Sequence, residues 1–174
     1  MDFEKLISDR YSVRNFTQEH LPQTIIDKIL EAGHKAPTGC NYQPQRILVL
    51  NTDSSIEKLK GCTKCHFNAP TAMLICHNTD ESWKRPYDGA LSSSVDAAIV
   101  TTHLMLAAHN IGVGSCWVMH FNPTAMREAF NIPENFEPAA LLVIGYPSPD
   151  AKPLDLHYKS RPMDEVVFYD SFEK

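Results

Sequence analysis

Two guanidiniums and a hydroxyl stand at alternate positions in Arg10-Tyr11-Ser12-Val13-Arg14. On an extended segment, residues two apart project to the same side, so Arg10, Ser12 and Arg14 face one way. Arginine forks match phosphate oxygens and stay charged; the chemistry offered is capture of an anion, a phosphate above all. The bland alternative is a solvated edge strand, which charge runs commonly are. A second basic cluster, Lys159-Ser160-Arg161, lies far off in sequence. It either converges on the same anion or forms a solvated tail. A third segment, residues 36–44, reads Ala-Pro-Thr-Gly-Cys-Asn-Tyr-Gln-Pro. Gly39 permits close backbone approach to a ligand. The planar amides of Asn41 and Gln43 pair donors with acceptors, which suits the edge of a heteroaromatic ring. Its alternative is a plain helix–strand connection.

These segments need elements to hold them. Phe3, Leu6 and Ile7 predict a short helix over residues 2–9, followed by the extended basic segment. Pro22 opens a second helix in its first turn, with Ile25, Ile26, Ile29, Leu30 and Gly33 as its stripe, ending before Pro37. After the loop come a strand over 46–50, a short helix over 54–61, and an apolar strand over 72–76. Residues 80–90 are polar and read as a surface loop. Residues 91–110 form the longest helical pattern. Its stripe is Leu91, Val95, Ala98, Ile99, Thr102, Leu106 and His109, widened by Leu104 and Met105, so this helix is expected at the centre. A strand over 115–119, a helix over 123–130 opened by Pro123, and a strand over 139–144 complete the pattern. About four core strands and five helices in mixed order give an α+β fold, a sheet flanked by helices. The tail, about residues 149–174, has only short apolar runs and fits best against another subunit.

Composition bounds the function. The chain has 174 residues, 43% hydrophobic and 21% charged, enough for one domain with a real core. Sixteen Lys and Arg against 21 Asp and Glu give a net charge of −5, which excludes a strongly basic nucleic-acid-binding surface. The opening Met-Asp-Phe-Glu-Lys has no secretory pattern, and no apolar run is long enough to span a membrane. Five cysteines without a leader suggest reduced thiols and a cytoplasmic location.

Other residues offer competing readings. Cys62-Thr63-Lys64-Cys65-His66 fits the haem-attachment pattern, a partial zinc set or a redox pair, against free thiols on a helix or turn. Asp96 and His103 share a face of the long helix, as an acid–base couple or as a structural acceptor and a core histidine. Trp83 and Tyr87 form either a lid or simple packing. Cys116, in apolar surroundings, is expected to be inert.

The residues quoted above resemble the FMN-dependent nitroreductase family. Residues 10–16 resemble its opening Arg-Arg/Tyr-Ser-Val-Arg-x-Phe. Residues 36–44 resemble Ala-Pro-Ser-x-x-Asn-x-Gln-Pro, with Thr38 for serine. Residues 106–117 resemble its Leu-Ala-Ala-x-x-x-Gly-x-Gly-Ser-Cys-Trp, and 144–147 its Ile-Gly-Tyr-Pro; Lys159 and Arg161 match a late basic pair. The matches run in family order along nearly the whole chain. The resemblance implies a nitroreductase-like single domain over 1–174, with a mostly antiparallel sheet, in an intertwined homodimer whose tail embraces the partner. Arg10, Ser12 and Arg14 would hold FMN phosphate and ribityl oxygens, with Tyr11 beside them, and Lys159 and Arg161 would close on the same phosphate. Pro37, Thr38, Gly39, Asn41 and Gln43 would approach the flavin from the partner subunit, and Trp117, Val118 and Met119 would lie beside its ring. The implied reaction is ping-pong: NADH or NADPH reduces the flavin, and a nitroaromatic, quinone or similar conjugated acceptor takes the electrons, with no catalytic side chain and no metal required. Flavin-modifying or dehalogenating enzymes, and a flavin-binding sensor using Cys62 and Cys65 as a thiol switch, are the rival readings. Gln45 stands where many relatives carry an aromatic. Met119 and His120 follow Trp117 where glycine is common, and they narrow the expected pocket. The chain is short for the family, lacking much of the inserted helical region.

Overall fold

The computed structural model describes residues 2–172; Glu173 and Lys174, the last residues of the expected tail, lie outside them. Six helices and four strands alternate along the chain: α1 (Phe3–Asp9), α2 (Gln23–His34), β1 (Gln45–Leu50), α3 (Asp53–Lys60), β2 (Thr71–Asn78), α4 (Ser93–Asn110), β3 (Gly114–Val118), α5 (Pro123–Phe130), β4 (Phe136–Gly145) and α6 (Met163–Val166). The strands form one sheet in the order β1-β2-β4-β3, and every pairing is antiparallel. The fold is α+β, as expected. Among the described residues no helix is long and apolar enough to cross a membrane.

Local chemistry sets the boundaries. Thr52 and Ser55 form a reciprocal capping box on α3, satisfying donors that a helix start leaves open. The Asn122 side chain caps α5, Pro123 occupies its first turn, and Asn131 closes it in a left-handed conformation, where asparagine is tolerated. Pro22 does not sit inside the first turn of α2: it is the N-cap, with ψ at 147°, since an extended residue must deliver the chain into the helix. β4 begins three residues earlier than its apolar run, because Phe136 and Glu137 continue the ladder opposite Asn78 and His77.

The sheet is buried on both faces. One face packs Leu74, Cys76, Leu141 and Val143 against α3 and α5. The other packs Met73, Ile75, Leu142 and Ile144 against α2 and α4. Helix α4 is central, but the stripe read from its periodicity is not the face it buries. Ser93, Asp96, Ala97, Val100, Thr101, Leu104 and Ala108 are the buried positions. Leu91 and Val95 are exposed, Val95 at 59%, and Ala98, Ile99, Thr102, Leu106 and His109 are only half-buried. The helix therefore carries two apolar faces, and the chain covers one of them.

Candidate functional site

Residues 10–14 lie along the outer edge of β3. Ser12 bridges Ser115, and the Val13 N–H donates to the Ser115 carbonyl at 2.9 Å. Val13 is buried, so the alternation turns Arg10, Ser12 and Arg14 to the opposite side; it ends before Phe16, which is buried as well. Gly114 makes the approach possible. A Cβ there would stand 2.8 Å from a Val13 methyl and 2.9 Å from the Pro147 ring.

A strap from the chain's end crosses this segment. Asn15 donates to the Asp150 carboxylate at 3.0 Å, and the Tyr11 hydroxyl donates to the Ala151 carbonyl at 3.4 Å. The Tyr11 ring meets His157 edge-on at 6.3 Å. Arg10, Ser12, Arg14, Leu154, Leu156 and His157 line a cavity of about 260 Å³ between segment and strap. Arg14 donates to the Ser12 carbonyl at 3.1 Å and lies over the Phe67 ring at 5.8 Å. Among the described residues no carboxylate pairs with Arg10 or Arg14. In a chain of net charge −5, two guanidiniums with no carboxylate partner among the described residues thus face one cavity. His157 was not legible as part of it, although it stands two residues before Lys159. Lys159 and Arg161 follow the strap and are exposed; Arg161 lies 3.5 Å from Glu165.

The loop of residues 36–44 is built elsewhere. The Gly39 N–H donates to the Asp96 carboxylate at 2.8 Å, whose other oxygen accepts from Ser92 Oγ at 2.7 Å. A Cβ on Gly39 would stand 2.9 Å from Ser92 Oγ and 3.3 Å from Trp83 Cβ, so the loop lies flush against the start of α4 and the Trp83 segment. Pro37 is exposed. The Gln43 N–H donates to Thr38 Oγ1 at 3.0 Å, and the Gln43 amide donates to Asn41 Oδ1 at 3.0 Å. Cys40, Asn41 and Gln43 all have positive φ, a conformation that side chains disfavour and that clusters at functional loops. Gln45 faces His77 across the β1–β2 pair. Gln45 Oε1 and His77 Nδ1 are buried and, among the described residues, have no partner.

One chain does not bring the loop to the arginines. Ser115 aligns through Ile144 with Thr71, whereas Gln45 aligns through His77 with Glu137. The two segments occupy opposite edges and opposite ends of the sheet, roughly 14 Å apart across the strands and roughly 20 Å along them. In β3, Trp117 is half-buried and Val118 turns its side chain into the core; Met119, just past the strand, is 65% exposed.

The competing readings resolve locally. Asp96 is a buried structural acceptor, and His103 is half-buried with Nδ1 2.9 Å from the Ile99 carbonyl oxygen. Tyr87 is fully exposed, while Trp83 is half-buried against Gly39. Burial pushes the Cys116 thiol above its ordinary range. Among the described residues no group of three or more His, Cys, Asp or Glu is placed to hold a metal ion.

The description "Nitroreductase family" belongs to the sequence family that matches residues 7–69 and 61–146. A crystal structure of a nitroreductase family protein from Clostridium difficile 630 superposes with a TM-score of 0.92 at 39% identity, covering 99% of this chain and 100% of that one. The FMN reductase [NAD(P)H] of Bacillus subtilis is 26% identical over 162 residues, 83% of this chain and 65% of its own. The NADH dehydrogenase of Thermus thermophilus is 22% identical over 201 residues, 97% of this chain and 96% of its own.

Proposed function

The chain belongs to the nitroreductase family, and from that premise we propose that it is an FMN-dependent NAD(P)H oxidoreductase, a single domain that works as a homodimer in the cytoplasm. The observation that carries this reading is the row of Arg10, Ser12 and Arg14 on a cavity where, among the described residues, no carboxylate pairs with either arginine. A phosphate monoester fits that donor set: two guanidinium forks and a hydroxyl supply charge-assisted hydrogen bonds. What bound FMN supplies is reversible hydride chemistry, taken from NADH or NADPH and given up to a nitroaromatic, quinone or similar conjugated acceptor in ping-pong order.

The chain's own residues bind and orient. Arg10, Ser12 and Arg14 hold the phosphate and ribityl oxygens, Tyr11 braces the strap above them, and Lys159 and Arg161 add charge from the strap's end. Trp117, the Val118 backbone and Met119 offer a surface to the flavin ring. Pro37, Thr38, Gly39, Asn41 and Gln43 serve the site of the partner subunit, because within one chain their loop stands at the far corner of the sheet. No side chain is assigned as acid or base. The homodimer is supported by what one chain leaves bare: Leu91 just before α4, Val95 on it, and Leu156, Met163 and Phe168 along the tail. All five cysteines are free thiols, as suits a reducing compartment.

The test is an absorbance spectrum of the purified protein after FMN addition, then under anaerobic NADH or NADPH, then with a quinone or nitroaromatic. Flavin bands that bleach with the nicotinamide and return with the acceptor are the expected result. Failure to take up FMN at micromolar concentrations overturns the reading.

A further inference from the structure

The Cys-x-x-Cys-His run plays no part in the site above, and its members have separate surroundings. Cys62 is buried, its thiol donating to the Lys58 carbonyl at 3.4 Å. His66 Nδ1 accepts the Asn68 N–H at 3.0 Å. Cys65 is half-exposed, and its sulfur lies 3.9 Å from His120 Nδ1. This pairing is built by the backbone. The Thr63 hydroxyl donates to the His120 carbonyl and accepts the Cys65 N–H at 3.0 Å. The Asn122 N–H donates to the Cys62 carbonyl at 2.9 Å. Residues 61–66 and 119–122 are thus stitched together with thiol and imidazole in register. His120 also lines an open cavity of about 580 Å³, beside Met119, Phe121, Thr63 and Lys64; Cys65 is not part of that lining and meets it through its contacts with His120 and Thr63. Among the described residues Lys64 has no acidic partner.

A thiol beside an imidazole acceptor is the arrangement that activates sulfur as a nucleophile. The lining offers apolar contact from Met119 and Phe121 and a cation for an oxygen from Lys64. We propose that Cys65 and His120 form a nucleophilic site that captures conjugated carbonyl electrophiles, quinones and enones, as thioether adducts. The Cys65 sulfur forms a bond to the β-carbon, and the electron pair of the carbon–carbon double bond moves to the carbonyl oxygen. The thiol proton passes to His120 Nδ1 and from there to the enolate. Nothing leaves, and no outside oxidant or reductant takes part.

The probe is N-ethylmaleimide, used below stoichiometry on the full-length protein as purified, without nicotinamide and with N-acetylcysteine in the same tube as an unhindered reference thiol. Peptide mass mapping then gives the Cys65 rate relative to the reference. The expected result is a Cys65 rate about tenfold above the reference, falling to it or below in His120→Asn. Cys62 staying unlabelled in that variant shows the loop intact; where Cys62 becomes labelled, His120→Gln is read instead. A Cys65 rate no higher than the reference, or a ratio unchanged in either folded variant, overturns the proposal.

Discussion

The Gly39 N–H donates to the buried Asp96 carboxylate at 2.8 Å, tying the loop of residues 36–44 to the first turn of α4. Asp96 is 2% exposed, and its second oxygen is taken by Ser92. Asp96→Ala removes both acceptors and leaves the Gly39 donor unmet. It should lower unfolding stability by about 1–3 kcal/mol in urea titrations. Asp96→Asn keeps one acceptor oxygen and an amide that can donate to Ser92, and should recover most of the loss. Flavin affinity, measured by fluorescence, should follow the same order if the loop that Asp96 holds serves the flavin site as proposed.

Gly114 gives a second handle on the same site. The Val13 methyl and the Pro147 ring crowd the position where a Cβ would stand. Gly114→Ala must push residues 12–16 off the edge of β3 or shift Pro147. Overpacking of this kind costs about 1–3 kcal/mol. The expected outcome is a lower urea midpoint together with weaker flavin binding; an unchanged midpoint would mean that Val13 swings aside without cost.

Much of this was legible from residue order. The alternation of residues 10–14 put Arg10, Ser12 and Arg14 on one side, and the apolar run at 72–76 read as a buried strand. Two things were hidden, each for a physical reason. A helix apolar on most sides has no dominant face, so periodicity in α4 selected Val95 and Ile99, with Leu104 only as a widening of the stripe, while the core took Ala97 and Val100 beside Leu104. The distance between the loop and the arginines depends on strand order, and no local pattern encodes that β1 and β3 become opposite edges. Likewise His157 and the Cys65–His120 pair come from contacts between segments far apart in sequence.

In the proposed homodimer, the uncovered face of α4 is where the subunits are expected to meet. Val95 is 59% exposed in one chain, and burying an aliphatic side chain of this size contributes about 1.5–3 kcal/mol. Val95→Asp would place a carboxylate in that interface. Sedimentation velocity should show a monomer, with helical circular dichroism retained and flavin uptake lost alongside the dimer. A Val95→Asp protein that stays dimeric would put the contact elsewhere.

The arginines predict a charge-specific loss. Arg14→Gln keeps much of the stem but removes one fork from the phosphate. It should weaken FMN about tenfold or more, since charge-assisted hydrogen bonds contribute about 1.5–3 kcal/mol each. Riboflavin, which lacks the phosphate, should bind wild type and variant alike. Equal losses for both flavins would show that Arg14 acts through the local fold and not through the phosphate.

Stability should also depend on pH through buried imidazoles. Burial holds His77 below the ordinary histidine range, against an opposing pull from Glu137 and Asp96; His66 and His109 are lowered for the same first reason. A histidine lowered in the folded state binds its proton more readily when unfolded. Between the two values the unfolded chain therefore holds more protons, and stability falls as pH falls. The contribution is complete above about pH 6.5, the unfolded value, and is lost progressively below it. The melting temperature should accordingly drop between about pH 7 and pH 5. His77→Gln, which keeps a polar side chain opposite Gln45 but cannot take the proton, should flatten part of that slope. A slope identical to wild type would mean that His77 stays accessible to protons in the fold and that the acid sensitivity lies with His66 and His109.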